Sequence, residues 1–491
     1  VNPLETAEKA ISDGRLADAV SVYEGMLAEG SQAIGLLLRQ LVPLYLRLRK
    51  PWRSLEAAQA LVYHEPTGES HAVLSVAQDK CGLAEASIAS LWRAVELSPN
   101  NREFLESLLF NLGAEMSPQD FKELAQRWSL PSLPRVVSEQ RSSPLRIGYV
   151  TGDAKTHVMD RVIEPLLRYS KFETVVFDNT RDQDEKSTAL RAYGTKWKYI
   201  VGLRAEAVAE QVKTENIDVL VDLSGLTAGN RLDVFALRPA PVQVTAFGSL
   251  YTTGMECFDY RFADVEDQGQ YTEPLWRLST NIAPMPLGAG LPVSSLPALR
   301  NGYVTFGFVN GVRKLTPAFV DQCIAVLKAV PTAKLAIMVL GATEATPHLR
   351  RFGQVQDRVL FTESAGGIPF CRLFESIDIA LDPFPYGGCM TSFDTLYHGV
   401  PIICKNGDRR VGMDAARLQL ELLMGRFVAK DGDYARVAAD VARGPIEALI
   451  RTRSELRQNL LRHPAGRPED WVAEVESAYL EMARPQMKRA A

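Results

Sequence analysis

Residues 381–401, LDPFPYGGCMTSFDTLYHGVP, gather glycines, hydroxyls, a thiol and carboxylates into one short stretch. An apolar run, IDIA, leads into Asp382, two prolines around an aromatic follow, and after Gly387 and Gly388 a helical pattern begins. Paired glycines let a backbone approach a ligand closely. Thr391 and Ser392 are N-cap types, expected to open the helix and leave the next amides pointing outward. A helix N-terminus of this kind, Gly387 through Ser392 with Cys389 and Met390 between, suits a phosphate or diphosphate. Asp394, one turn in, can accept from a ribose hydroxyl. A plain strand-to-helix loop that needs glycine only for its turn fits the same residues equally well.

The stretch has to be held by a larger framework, and at 491 residues the chain is too long for one core. Hydrophobic residues make up 46% and charged residues 23%, an ordinary globular balance. The net charge of -4 and pI near 6.0 lack the basic footprint of a nucleic-acid binder. No apolar run reaches membrane-spanning length. The opening residues, VNPLETAEKAISDG, show neither a basic n-region nor an apolar h-region. Six scattered cysteines, none in a C-x-x-C pair, read as reduced thiols. Together these features give the expectation of a cytoplasmic protein.

Three parts follow from the patterning. Residues 1–127 read as successive helices, with GRLADAVSVYEGML from Gly14 matching GLAEASIASLWRAVELSP from Gly82. The two glycines are 68 residues apart, twice a tetratricopeptide period of about 34. A degenerate middle copy, RKPWRSLEAAQALVYHEP, lies between them. Stacked repeats of this type bind extended polypeptide, so a protein partner is expected. Residues 128–144 turn to Pro, Ser and mixed charge and read as a linker. Beyond them, apolar runs (LRIGYV, FETVVFD, IDVLVDLSG, PVQVTAFG) alternate with helical segments over residues 145–295. A second set (YVTFGFV, KLAIMVL, RVLFTES, IDIALD, PIICK) occupies 296–476, and 477–491 reads as a C-terminal helix and tail. Two consecutive βα sets predict an α/β protein with two Rossmann-like halves, ligands lying beyond the carboxyl ends of the strands.

LRPAPVQVTAFGSLYTTG (237–254), VTFGFVNGVRKLTP (304–317) and the stretch at 381–401 occur in that order at strand edges. Together they resemble glycosyltransferase family 41, the protein O-GlcNAc transferases and SPINDLY proteins, whose GT-B catalytic region also follows tetratricopeptide repeats. The resemblance runs from about Leu145 to the C-terminus. It implies a metal-independent inverting transferase, without a cofactor, that moves a sugar from a nucleotide donor, UDP-GlcNAc by default, to Ser or Thr of a protein. It further implies that Lys314 contacts the donor diphosphate with Asn310 nearby, that Thr391 lies near the phosphates, and that Asp394 meets the ribose. His157, in TGDAKTHV, corresponds to a histidine beside the reacting centre, where imidazole suits proton handling. By residue type alone, Lys314 reads as a solvated helix-start lysine and His157 as a surface histidine.

Several positions depart from the family pattern. Cys389 stands in place of a histidine, Met390 of a threonine, Gly311 of a glutamine and Leu226 of a histidine or tyrosine. Gly248, Ser249 and Leu250 replace a Gly-Tyr-Pro. Lost polar contacts on the sugar and base sides leave the donor open. Another nucleotide hexose, or a CMP-linked nonulosonic acid placed on flagellin, is the alternative donor reading, and a non-catalytic repeat scaffold is the alternative class. Asp182-Gln183-Asp184 resembles the acidic metal motif of other transferases but sits in a charged run and reads as a solvated turn.

Overall fold

The computed structural model describes residues 2–134, 145–193, 196–263, 269–280, 282–340, 346–364, 367–407 and 410–484. The second part of the expected linker (135–144) and the end of the expected tail (485–491) lie outside them. The chain forms two compact units that do not follow its linear order. One comprises residues 1–108 and 287–457, the other 109–286 and 458–491.

The first unit opens with three helix hairpins: α1 (Pro3–Ser12) with α2 (Leu16–Ala28), α3 (Ile34–Arg47) with α4 (Pro51–His64), and α5 (Gly68–Lys80) with α6 (Ala84–Leu97). Each hairpin turns through one left-handed residue, Gly14 (φ 75°), Arg49 (φ 59°) and Gly82 (φ 72°). The middle copy therefore keeps the repeat's turn conformation without its glycine. Small residues at the inner positions, Ala19, Ala58, Ala77 and Ala94, are fully buried and let the helices approach. Buried polar pairs fix the register: Ser54 Oγ donates to Val42 O at 2.9 Å, and Ser90 Oγ to Gln78 Oε1 at 2.8 Å. Leu37, Leu41 and Leu61 fill the array's core, each contributing on the order of 2 kcal/mol.

In the same unit, a six-stranded parallel sheet is built from β8 (Thr305–Val309), β9 (Lys334–Leu340), β10 (Val359–Ser364), β11 (Ile379–Leu381), β12 (Ile402–Lys405) and β13 (Val428–Ala429). Its order is β10-β9-β8-β11-β12-β13, so the chain reverses direction across the sheet between β8 and β11. β8 is buried along its whole length, as a strand covered on both faces must be. Phe306, Phe308, Phe319 and Leu381 share its core.

The second unit holds a seven-stranded parallel sheet of β1 (Arg146–Thr151), β2 (Glu173–Asp178), β3 (Lys196–Tyr199), β4 (Val219–Asp222), β5 (Val242–Thr245), β6 (Tyr260–Ala263) and β7 (Leu275–Arg277). Its order, β3-β2-β1-β4-β5-β6-β7, reverses between β1 and β4. α7 (Arg102–Leu112) carries the chain into this unit, and α8 (Pro118–Trp128) packs there, with Phe110 and Phe121 both against Tyr251. The helix Pro468–Ala483 belongs here as well. Its Trp471 meets Phe247 at 5.0 Å, and Glu476 accepts from Ser170 Oγ and Lys171 N, each at 2.7 Å.

Two α/β parallel sheets preceded by a helical repeat array is the architecture the sequence predicts. Among the described residues no helix is long and apolar enough to cross a membrane. None of the six cysteines, all among the described residues, is in a disulfide; five are buried and Cys389 is half-buried.

Candidate functional site

β8 and β11 lie side by side at the reversal of the second sheet, with Phe306 opposite Ile379. In open α/β sheets the loops leaving neighbouring strands at such a reversal diverge, and ligands lie beyond the carboxyl ends there. The loop after β8 carries Asn310 and the 3₁₀ turn Val312–Lys314. The loop after β11 carries Asp382 through Cys389 and feeds the helix Met390–Tyr397. This adjacency brings together residues about 70 positions apart in sequence.

Lys314 is the hub. Its Nζ donates to Gly387 O at 2.7 Å and to Asn310 Oδ1 at 3.2 Å, and lies 4.0 Å from the centroid of the Tyr386 ring. Asn310 Oδ1 also accepts from Thr391 Oγ1 at 3.1 Å, so one amide ties lysine, loop and helix start together. Burial lowers the Lys314 ammonium to about 8, with Asp382 the leading opposing influence. Burial in turn raises the Asp382 carboxyl to about 7, against the Gly388 N–H and Lys314. Half-buried Lys314 and buried Asp382 each favour the charged state of the other.

The glycine loop differs from the expectation in two respects. Thr391 and Ser392 do not cap the helix; it starts at Met390, with Cys389 in the cap position and no side-chain cap. The loop returns to the helix two residues earlier than the hydroxyls suggest, placing Thr391 inside the first turn, where its hydroxyl turns to Asn310. The Gly387 and Gly388 amides do not face outward either. Gly387 N donates to Val411 O at 2.9 Å and Gly388 N to Asp382 Oδ1 at 2.8 Å. Amides for an anion are thus those of the first helical turn, Met390 to Ser392, which an α-helix leaves without internal acceptors. The glycines still serve close packing. A Cβ on Gly388 would lie 2.3 Å from Ser392 Oγ and 2.8 Å from Thr391 Oγ1, and one on Gly387 2.7 Å from Asp382 Oδ2. Asp394 is buried in the same helix. His398, beyond its end, is structural: the ring stacks on Phe374 and Nε2 lies 3.1 Å from Leu287 O.

Asp382, Tyr386 and Asp414 are site residues that motif reading passed over. Asp382 was visible as an acid at the end of an apolar run, but its grip on an amide six residues later depends on how the loop closes. Asp414, at the start of the helix Asp414–Glu421, acts on both Lys314 and Asp382 through its charge.

In the other unit, His157 follows β1 at the reversal of the first sheet, beside β4. Met159 N donates to its Nδ1 at 3.4 Å. The same Nδ1 is 3.6 Å from Asp153 Oδ1. Burial raises the Asp153 carboxyl, with His157 the leading opposing influence. The imidazole is 39% exposed, open enough to meet a ligand. Asp184, from the acidic triplet, caps the helix Glu185–Arg191: it accepts from Ser187 N at 3.0 Å and Thr156 N at 2.9 Å. These amides hold its carboxyl down at about 2. Leu226 and Ser249 are buried.

Residues 133–282 match the family model described as Glycosyl transferase family 41. The chain is 32% identical over 360 residues to a barley protein named probable UDP-N-acetylglucosamine–peptide N-acetylglucosaminyltransferase SPINDLY, covering 69% of this chain and 38% of that one. A rice protein of the same name is 33% identical, covering 70% and 39%. The chain thus spans about two fifths of the length of the curated relatives it matches. A solved structure of the Thermobaculum terrenum O-GlcNAc transferase, a lysine-to-methionine mutant, superposes with a TM-score of 0.87 at 26% identity. That match covers 98% of this chain and 96% of the other.

Proposed function

From the chain's membership of glycosyltransferase family 41, we propose that it is a protein O-glycosyltransferase acting from a nucleotide-sugar donor, UDP-GlcNAc by default. The observation that carries this reading is Lys314, held 2.7 Å from Gly387 O and 3.2 Å from Asn310 Oδ1 at the start of the helix Met390–Tyr397. A donor diphosphate set against that ammonium and the first-turn amides finds charge neutralisation where its leaving oxygen becomes anionic. In the transfer, the acceptor hydroxyl oxygen bonds to the anomeric carbon with inversion while the bond from that carbon to the diphosphate breaks. His157 is assigned to the hydroxyl proton. In this reading Lys314 and the helix terminus do the work that a divalent cation does in other transferases, so turnover is expected to survive EDTA. The repeat array is assigned to the protein acceptor. Retention of His157, Lys314 and Asp394 in one chain favours an enzyme over a decayed scaffold.

The half-buried thiol of Cys389 at the helix cap favours a second donor reading. A thiol is a far weaker hydrogen-bonding group than the imidazole expected there, which leaves room for another nucleotide hexose or a CMP-linked sugar. Calorimetric titration with UDP, GDP and CMP, followed by mass spectrometry of a protein acceptor incubated with the corresponding sugar nucleotide, tests the function. Binding of none of the three overturns it, and tight binding of GDP or CMP alone selects the second donor.

A further inference from the structure

Lys314 ends a single 3₁₀ turn, Val312–Lys314, whose own backbone bonds run from Lys314 N to Gly311 O (3.0 Å) and from Leu315 N to Val312 O (2.9 Å). One such turn does not hold its own position. Beneath it, Val312 and Leu315 are sunk into the core of the second sheet. On its other side it meets the third helix hairpin. Asp79 Oδ1, near the end of α5, lies 3.3 Å from Arg313 Nε, with the side chains 26% and 17% exposed. At the hairpin turn, a Cβ on Gly82 would lie 3.1 Å from Val312 O and 3.2 Å from Val312 Cγ2. Gly14 holds the same place in the first hairpin with nearly the same φ, yet a Cβ there meets nothing within 4 Å. The two glycines share a turn requirement, and only Gly82 has a docking requirement besides. The second hairpin touches the same sheet unit: Trp52 of α4 lies 5.9 Å, ring to ring, from the buried His348.

We propose that Asp79 and Gly82 are positioning residues for Lys314, fixing the turn that carries it through Arg313 and Val312, so that the repeat array sets the geometry of the donor-phosphate site. The proposal rests on the reading of Lys314 as the group that meets the donor diphosphate. Neither residue touches donor; both act through the turn. A displaced ammonium loses more in the transition state than in the ground state, so turnover should suffer more than binding.

The test compares Gly82→Ala with Gly14→Ala, which carry the same left-handed strain, and Asp79→Asn with Asp79→Glu, in the full chain. UDP affinity is read by calorimetry and kcat and KM by transfer. Gly82→Ala and Asp79→Asn are expected to weaken UDP binding about fivefold and lower kcat about tenfold, with KM for the acceptor unchanged. Gly14→Ala should match wild type in both, and Asp79→Glu should recover most of the loss because it keeps the charge facing Arg313. Asp79→Asn is isosteric, so it remains informative should Gly82→Ala lower the melting temperature. Wild-type affinity and kcat in Asp79→Asn, or equal behaviour of the two glycine variants, overturns the proposal alone. A wild-type chain that binds none of UDP, GDP or CMP overturns the donor reading and this proposal with it.

Discussion

Nucleotide binding should pull protons onto this protein at mildly alkaline pH. Burial lowers the Lys314 ammonium to about 8, so at pH 8 the empty site carries the proton only about half the time, and at pH 9 about a tenth of the time. A diphosphate placed against the amine is an opposite charge at short range and returns its pKa towards the ordinary lysine value. Binding of UDP is therefore expected to take up about half a proton at pH 8 and about 0.9 at pH 9. The sign follows from linkage: uptake means that affinity falls as pH rises through 8, by about tenfold between pH 7 and pH 9. Asp382, raised to about 7 by burial, responds to the anion in the same direction and adds uptake near pH 7. The terminal phosphate of UDP has finished titrating by about pH 7.5, given its second pKa near 6. Calorimetry at each pH in HEPES and in Tris, whose ionisation heats differ, yields the proton count directly. Lys314→Met should abolish the alkaline limb of the curve. Tight UDP binding with no uptake, or with release, between pH 8 and 9 would refute the placement of the diphosphate at this lysine.

Four further outcomes are expected. Lys314→Ala should keep its circular dichroism spectrum and lose two to three orders of magnitude in turnover, or roughly 3 kcal/mol; wild-type-like turnover at saturating donor removes the lysine from the mechanism. His157→Ala should lower kcat by roughly 10²–10⁴ with unchanged UDP affinity, and lost nucleotide binding with intact turnover reverses that assignment. Gly388→Val should abolish UDP binding in calorimetry while Cys389→Ala stays mild, because the added Cβ meets Ser392 Oγ and Thr391 Oγ1, whereas a thiol is only a weak hydrogen-bonding group. Asp382→Ala should cost about 1–3 kcal/mol in urea denaturation by orphaning the buried Gly388 N–H. Asp382→Asn, which keeps an acceptor for that amide, should cost clearly less; equal costs would mean the carboxylate does not brace the loop.

The sheets were readable because parallel strands are buried on both faces and so spell continuous apolar runs, as β8 does in TFGFV. β3 (KWKY) and β7 (LWR) escaped the same reading: they are short and half-exposed, and carry no such run. The placement of Lys314 and Gly387 on adjacent loops followed from two motifs at strand ends, but their contact depends on the β8–β11 neighbourhood, which is a property of strand order. Residue type pointed to Thr391 as a helix cap, yet the chain uses Cys389, because where a loop rejoins its helix is decided by its closing bonds to Asp382 and Val411. The repeat period survived in the middle hairpin through Arg49, whose left-handed turn no composition signal announces. The return of residues 458–484 to the first sheet, through Trp471 and Glu476, had no local signal either, since an amphipathic helix does not name the face that receives it.

The docking of the third hairpin against the turn at Val312–Lys314 has a consequence for how such a chain can lengthen. Helix pairs stack by nearest-neighbour contacts, so hairpins added ahead of α1 would extend the array's surface and leave the Asp79–Arg313 contact as it stands. A change of length in the turn between α5 and α6 would instead displace Gly82 and Asp79 from the turn that carries the lysine. The length of the array and the geometry at the lysine can therefore vary independently, the hairpin bearing Gly82 being held fixed.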